Sequence, residues 1–249
     1  MISASNFEIV GHGGMGFPSQ LPINSLESIL SAVNIGVNGI EIDVQISKDG
    51  YLIAYHDYEL NGNTKLNGFV NDYNAATILN TTYIDFPYAN YAVRSLDQIF
   101  RNLLQHPDLV LYFDIKLFSS HVTIQYYDNF INALLDLIYY YNLQSRVVIE
   151  STDKYFLKRM HAKDYNLKYC YYITDFNDYL NFESKEILHA VLMRSNQISK
   201  TQTDILHQDN KRVVVWGINT CKDLQSAKSK NIDVLQVDHL RAVKKCLIE

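Results

Sequence analysis

The chain is poor in cysteine, and it has neither a long apolar run nor an excess of positive charge. Its three cysteines lack Cys-x-x-Cys spacing, which predicts separate thiols in a reducing compartment rather than a disulfide framework or a zinc cluster. No apolar run approaches the roughly 18 to 20 residues needed to span a bilayer. A formal net charge of −5 argues against a nucleic-acid-binding protein, which needs basic side chains to neutralise phosphates. The first residues, MISASNFEIV, lack the basic and apolar segments of a signal peptide, so we expect a cytoplasmic protein.

What the sequence does have is a regular alternation of short apolar runs with longer helical patterns. The runs that predict strands lie at 7–11, 39–44, 51–56, 109–115, 146–150, 167–173, 189–193, 212–218 and 233–237. The patterns that predict helices lie near 24–35, 95–105, 122–142, 153–164, 198–209, 220–229 and 239–248, with Ser95, Thr152 or Asp153, and Thr220 as N-caps. Repeated strand–helix units imply a parallel sheet.

The number of these units favours a closed barrel over an open sheet. Seven or eight strand–helix units in 249 residues predict one (β/α)8 TIM barrel domain over residues 1–249. An open doubly wound sheet is the alternative, but GHGGMG after the first strand does not have the GxGxxG spacing. Residues 58–94, rich in Asn, Thr, Gly and Tyr, break the pattern and predict a loop excursion over one end of the barrel.

Acidic and histidine residues fall where the predicted strands end. Barrel enzymes carry their chemistry at the C-terminal ends of the strands. His12 follows the first strand, and Glu41 and Asp43 lie two residues apart near the end of the second, so they point to one side. The other candidates at strand ends are His56, Asp114, Lys116, Glu150, Arg194 and Trp216.

These residue types together predict a metal-assisted phosphodiesterase. Carboxylates in apolar strands are costly to bury unless they are paired or bind a metal. Glu41, Asp43 and Asp114 therefore predict a site for one divalent cation, Mg²⁺ or Ca²⁺, which prefer oxygen ligands. His12 and His56 are suited to general acid and general base catalysis. Asp57 is a candidate cap for the turn that follows.

The motifs resemble those of the glycerophosphodiester phosphodiesterase family, within the PLC-like phosphodiesterase superfamily. The counterparts of the family motifs are His12-Gly13-Gly14, Ile23-Asn24-Ser25, Glu41-Ile42-Asp43, Lys48-Asp49-Gly50, His56-Asp57, Asp114-Ile115-Lys116, VVVWGIN and VDHL. The resemblance implies hydrolysis of a glycerophosphodiester to an alcohol and glycerol 3-phosphate. It implies that His12 and His56 are the acid–base pair and that Glu41, Asp43 and Asp114 are metal ligands. It also implies that Lys116 contacts phosphate and that Trp216 lines the alcohol end of the pocket. Glu150, at the end of its strand, is expected either to line the pocket or to bond Lys116.

Three departures from the family pattern affect the expected substrate. Gly13 replaces an Arg, Ile23 replaces a Glu, and Asp114 is one methylene shorter than the family's Glu. Arg194 is a candidate replacement for the missing guanidinium. Asp-x-Lys also resembles sphingomyelinase-D-type phospholipases, so a phospholipase-D-like enzyme that releases a cyclic phosphate is an alternative, as is a non-catalytic phosphate-binding barrel. The expected partner is a small-molecule phosphodiester or a lysophospholipid-like substrate.

Overall fold

The computed structural model describes residues 7–246, and its centre is a closed barrel of parallel strands. In chain order the strands are β1 (Glu8–Gly11), β2 (Gly39–Ile46), β3 (Leu52–Ala54), β4 (Arg94–Ser95), β5 (Val110–Ile115), β6 (Val147–Ser151), β7 (Lys168–Tyr172), β8 (Ala190–Arg194), β9 (Arg212–Ile218) and β10 (Val234–Val237). The barrel runs β1-β2-β5-β6-β7-β8-β9-β10, and pairing of β10 with β1 closes it. These eight parallel strands confirm the predicted TIM barrel.

Helices cover the outside of the barrel. They are α1 (Leu26–Ile35), α2 (Ala75–Leu79), α3 (Leu96–Leu103), α4 (Ile124–Tyr140), α5 (Lys154–Lys163), α6 (Phe176–Leu180), α7 (Lys200–Gln208), α8 (Cys221–Ser229) and α9 (Leu240–Lys245). All seven predicted helices are present, although the last two residues of the predicted 239–248 lie outside the described range. Ser95, Asp153 and Thr220 cap their helices by accepting a hydrogen bond from the backbone N–H three residues later.

Side-chain alternation along β2 shows how the barrel creates both its core and its site. Every residue of β2 is buried. Ile40, Ile42 and Val44 join the large apolar cluster that includes the helices, so they point outwards. The residues between them, Glu41 and Asp43, therefore point into the barrel.

The predicted strand at 51–56 is not part of the barrel. It forms β3, which pairs antiparallel with β2 and with β4. The excursion at 58–94 then packs on β3 around a small apolar core of its own. That core contains Ile53, Tyr55, Leu60, Val70, Ala75, Ile78, Tyr83 and Val93. The predicted excursion is therefore a folded lobe beside β3, and it includes α2.

The expectation of three separate thiols was wrong. Cys221 and Cys246 form a disulfide with a Cα–Cα distance of 5.7 Å, while Cys170 is a buried thiol. The residues are 25 positions apart, but α8 and α9 contact each other and bring them together. The expected cytoplasmic location therefore loses the support of these two residues and stays a prediction. No helix within residues 7–246 is long and apolar enough to cross a membrane.

Candidate active site

Three buried carboxylates meet inside the barrel. Asp43 on β2 is the register partner of Asp114 on β5, and Glu41 lies two residues before Asp43 on the same face. One carboxylate oxygen of each lies within 4.8 Å of the others. All three residues are buried, and Asp43 is fully so. The prediction that these carboxylates converge is confirmed, and we call them the acidic cluster.

Lys116 compensates part of the negative charge of the acidic cluster. Its Nζ lies 2.7 Å from Asp114 Oδ2 and 3.1 Å from Asp43 Oδ1. Burial alone would lower the pKa of Lys116, but the charges of Asp43 and Asp114 raise it above its usual value. Burial raises the pKa of Glu41 well above its usual range, and the neighbouring charges of Asp43 and Asp114 add to this effect. One ammonium facing three carboxylates leaves the cluster short of positive charge.

The oxygen atoms of the cluster fit a divalent cation. Glu41 Oε1 is buried and has no hydrogen-bond partner among the described residues. Asp43 Oδ1 also accepts no hydrogen bond there, although the Lys116 ammonium is close to it. Buried polar atoms without partners are rare in proteins. Carboxylate oxygens are the ligands that Mg²⁺ and Ca²⁺ prefer, so Glu41, Asp43 and Asp114 fit such an ion.

His12 lies at the end of β1 and is held by a carboxylate from the far end of the chain. Its Nδ1 lies 2.6 Å from Asp238 Oδ1. The other oxygen of Asp238 accepts a hydrogen bond from Asn219 Nδ2 at 3.1 Å. An ionised carboxylate can only accept, so Nδ1 carries the hydrogen and the neutral ring keeps a lone pair on Nε2. His12 Nε2 lies 3.8 Å from Glu41 Oε2, which places this nitrogen at the acidic cluster.

His56 is held in the same way as His12, by an aspartate that directly precedes the excursion. Its Nδ1 lies 2.7 Å from Asp57 Oδ1, and Asn63 donates a hydrogen bond to Asp57 Oδ2. Burial alone would lower the pKa of His56, but the hydrogen bond with Asp57 and the charge of Asp43 outweigh burial and raise it. Asp57, a candidate turn cap in the sequence, thus holds an imidazole.

Phe17 contacts the imidazoles of both His12 and His56. Its ring centroid lies 5.1 Å from that of His12 and 5.4 Å from that of His56, with edge-on contacts to both. The two histidines therefore flank one phenyl ring at the mouth of the barrel. His12 also contacts Glu41 of the acidic cluster, and the charge of Asp43 in that cluster acts on His56.

The loop between β1 and α1 explains why Gly13 and Ile23 occur together. Gly13 has φ +55°, and its N–H donates to Glu41 Oε2 at 2.8 Å. A Cβ on Gly13 would lie 2.5 Å from Ile23 Cβ, so a side chain at 13 is excluded unless Ile23 moves. The next residue, Asn24, donates to Asp43 Oδ2 at 2.7 Å and accepts from Asp43 N at 3.0 Å.

The other candidate residues lie at different depths in the barrel. Trp216 is 6.3 Å from His12 between ring centroids, at the barrel mouth. The guanidinium of Arg194 stacks over the Trp216 ring at 5.0 Å. Glu150 is fully buried in the barrel interior and accepts from Gln236 at 2.8 Å. Burial, with the charge of Asp114, raises the pKa of Glu150 to about 8.

The sequence interpretation assigned no role to Asp238, Asn219 or Asn63. Asp238 lies in VDHL and Asn219 ends VVVWGIN, two motifs that the family resemblance does include. That resemblance was the available signal for them. Asn63 lies in the excursion, where no motif indicates its contact with Asp57.

Comparison with known proteins agrees with this geometry. Residues 15–242 match the model of the glycerophosphoryl diester phosphodiesterase family. The chain belongs to this family.

Curated and solved relatives show the extent of the similarity. A glycerophosphodiester phosphodiesterase from Caldanaerobacter subterraneus subsp. tengcongensis is 29% identical over 153 residues, which is 60% of either chain. The match thus spans less than two thirds of this relative. An Oleispira antarctica phosphodiesterase, solved in complex with the product sn-glycerol 3-phosphate, has a TM-score of 0.85 at 16% identity and 97% coverage of both chains. A Parabacteroides distasonis glycerophosphodiester phosphodiesterase has a TM-score of 0.80 at 17% identity, with 99% and 98% covered. These structural likenesses show the shared fold.

Proposed function

We propose that the protein hydrolyses a glycerophosphodiester to an alcohol and glycerol 3-phosphate, using His12 and His56 as acid and base. The observation that carries the proposal is a pair of imidazoles on either side of Phe17, one of them in contact with the three buried carboxylates and each bonded through Nδ1 to an aspartate. A carboxylate on Nδ1 fixes the ring and leaves Nε2 for proton transfer. A protein that only binds phosphate has no need for two such pairs.

The two imidazoles have complementary tasks in this reaction. One Nε2 accepts the proton of the attacking oxygen, which belongs either to water or to a neighbouring hydroxyl of the glycerol. The other imidazole, protonated at Nε2, donates a proton to the alcohol oxygen as its bond to phosphorus breaks. Asp57 stabilises the imidazolium form of His56 by charge, and Asp238 holds the ring of His12 through Nδ1.

Glu41, Asp43 and Asp114 would hold one Mg²⁺ or Ca²⁺ ion. Such an ion supplies positive charge that neutralises phosphate oxygens as negative charge develops. Asn24 orients Asp43, and the backbone of Gly13 orients Glu41. Lys116 reaches Asp43 and Asp114 and is our candidate for contact with a phosphate oxygen.

Arg194, Trp216 and Glu150 complete the proposed substrate-binding set. Arg194 supplies the guanidinium that Gly13 lacks, and its stacking on Trp216 holds it at the barrel mouth. Trp216 provides an apolar wall near His12. Glu150, the register partner of Asp114 on β6, is the deepest member of this set. The product named for the Oleispira antarctica structure, sn-glycerol 3-phosphate, supports the proposed product class.

A phospholipase-D-like reaction that releases a cyclic phosphate is the second candidate. The short Asp114 carboxylate beside Lys116 favours it, because this Asp-x-Lys arrangement resembles the sphingomyelinase-D-type sequence. Its substrate would be a lysophospholipid-like diester. Both reactions use the same two imidazoles, so the products distinguish them.

Phosphorus NMR of reaction mixtures tests the proposal. The protein is incubated with glycerophosphodiesters and a lysophospholipid in the presence of Mg²⁺, Ca²⁺ or Mn²⁺. We expect glycerol 3-phosphate, whereas a persistent cyclic phosphate would support the second candidate. Removal of His12 or His56 by substitution with Ala should lower kcat by roughly 100-fold or more. No turnover of any diester, or full activity in both variants, would refute the acid–base proposal.

A further inference from the structure

The side chain of Gln45 joins the barrel to the segment that carries His56. Gln45 lies on β2 two residues after Asp43, is fully buried and points to the same side of the strand as Asp43. Its Nε2 donates to the backbone oxygen of Tyr55 at 2.9 Å and to that of Asp57 at 2.8 Å. The two carbonyl groups that flank His56 are therefore held by one amide.

This amide bonds to the chain at the point where the backbone ladder between β2 and β3 ends. The Tyr55 N–H donates to Asp43 O at 3.1 Å, one residue beyond the end of β3. His56 and Asp57 follow, outside any strand. The two bonds from the Gln45 side chain therefore occupy backbone acceptors that a longer strand would pair with main-chain N–H groups.

The amide group of Gln45 is suited to holding two carbonyl groups at once. A primary amide carries two hydrogens on its nitrogen, and each can meet one carbonyl oxygen, which fixes the orientation of the amide. Its own oxygen, Oε1, is buried and has no hydrogen-bond partner among the described residues. A buried acceptor without a partner costs stability, so a side chain placed here for stability alone would not be expected to carry one. Such local compromises are typical of residues that serve a functional site.

We propose that Gln45 is a positioning residue for His56, because its amide anchors to β2 the two carbonyl groups that flank the imidazole. The inference rests on the proposed function, in which His56 transfers a proton. Asp43 and Gln45 belong to one strand, so the acidic cluster and the segment around His56 share a rigid support. Without the amide, the two carbonyl groups would turn towards other donors and would displace His56 together with Asp57.

Steady-state kinetics of Gln45 variants give the first test. Gln45→Met nearly keeps the volume of the side chain and removes both donors, so kcat should fall roughly 10- to 100-fold while KM changes little. Gln45→Asn keeps the donors on a shorter side chain, and its kcat should lie between those of Gln45→Met and the unaltered protein. Thr203→Val on α7 is the matched control: it removes a buried hydroxyl that donates to Ser199 O at 3.2 Å and should leave kcat unchanged. An unchanged kcat in Gln45→Met would overturn the proposal.

A double-mutant cycle distinguishes positioning of His56 from a general loosening of the site. In the His56→Ala background there is no imidazole to position, so the addition of Gln45→Met should leave the residual kcat unchanged. If Gln45→Met does not fold, as judged by circular dichroism, Gln45→Asn is used for the same cycle. An equal loss of kcat in both backgrounds would show that Gln45 acts on another part of the site and would overturn the proposal.

Nitrogen-15 NMR tests the positioning of His56 without turnover, so its failure is distinguishable from the failure of the proposed function. The shifts of Nδ1 and Nε2 report which nitrogen of a neutral imidazole carries the hydrogen, and the bond to an aspartate sets that choice. The signals of His56 and His12 are assigned from the His56→Ala and His12→Ala variants. In Gln45→Met the His56 signals should move towards a mixture of tautomers, while those of His12, which Asp238 holds, should stay in place. Unchanged His56 signals would overturn the proposal even if diesters are hydrolysed, and the expected change would support the anchoring of His56 even if none is.

Discussion

At the scale of single residues, the site contains the same hydrogen-bonded arrangement of histidine, aspartate and asparagine twice. His12 is bonded to Asp238, which accepts from Asn219, and His56 is bonded to Asp57, which accepts from Asn63. In each case an amide fixes the aspartate and the aspartate fixes the ring. This arrangement orders each ring in advance and leaves Nε2 for the proposed proton transfer.

Substitution of Asp57 by Asn should test the arrangement around His56 directly. The change removes the charge that stabilises the imidazolium of His56, so kcat should fall by roughly 100-fold. Because the Asp57 hydrogen bond opposes the lowering effect of burial, its loss should lower the pKa of His56 and move that limb of the pH–rate profile to lower pH.

The pH profile separates this role from a purely structural one. Asp85→Asn changes an exposed aspartate of the same excursion and should leave both kcat and the pH profile unchanged. If Asp57→Asn lowered kcat without moving the limb, or left kcat within twofold, Asp57 would not act through His56.

The sequence predicted the residues that we propose to perform the chemistry better than those that hold them in place. Glu41 and Asp43 stand out because carboxylates are costly within an apolar strand. Asp238 contacts His12 across 226 positions, and no periodicity in either segment indicates that contact. Asp57 is adjacent to His56, but an aspartate after a strand has a simpler interpretation as a turn cap.

At the scale of elements, the loop between β1 and α1 is the most constrained part of the site. It positions His12, donates to Glu41 through Gly13 and supplies Asn24 to Asp43. Gly16 in this loop has φ +83°, and a Cβ there would lie 1.8 Å from Asp238 O. The loop therefore packs directly against the residue that holds His12.

A pair of glycine substitutions tests this constraint. Gly16→Ala and Gly62→Ala both place alanine at positive φ, but the site of Gly62 is open. Gly62→Ala should cost only backbone strain of about 1 to 2 kcal/mol. Gly16→Ala should cost roughly 2 kcal/mol more, because backbone must move, and it should also lower kcat.

Thermal unfolding and kinetics of the same samples check the comparison. At about 2 to 4 °C per kcal/mol for a chain of this size, Gly16→Ala should melt several degrees below Gly62→Ala. Equal melting temperatures with normal activity in both variants would show that the loop is free to adjust.

Sequence periodicity identified long elements and misjudged short ones. The five-residue helices α2 and α6 were not predicted, since a helix this short depends on tertiary packing more than on its own pattern. The apolar run at 51–56 correctly indicated a strand. A local pattern cannot distinguish a barrel strand from one that pairs antiparallel beside the barrel.

At the scale of the whole molecule, the barrel brings distant segments to one point. Register between β2 and β5 places Asp43 level with Asp114, and closure of β10 on β1 brings Asp238 to His12. The disulfide between Cys221 and Cys246 joins α8 to α9, on either side of Asp238 in the chain. Neither the closure nor the disulfide follows from any local stretch of sequence.

Closure of the barrel also makes the site energetically costly, because it removes charged side chains from water. Three buried carboxylates share one partly buried lysine, Lys116, which is unfavourable unless further positive charge is supplied. A divalent ion bound at these carboxylates should therefore stabilise the fold, as any ligand that binds only the native state does. Chelation should lower both activity and the melting temperature.

Calorimetric titration with Ca²⁺, Mg²⁺ and Mn²⁺ tests the central claim most directly. The chelated protein should bind one ion per chain, and Asp43→Asn together with Glu41→Gln should abolish that binding while the fold remains intact by circular dichroism. Asp136→Asn, at an exposed aspartate on α4, is the control and should bind as the unaltered protein does. Undiminished binding in the double variant, or full activity after complete chelation, would contradict the account.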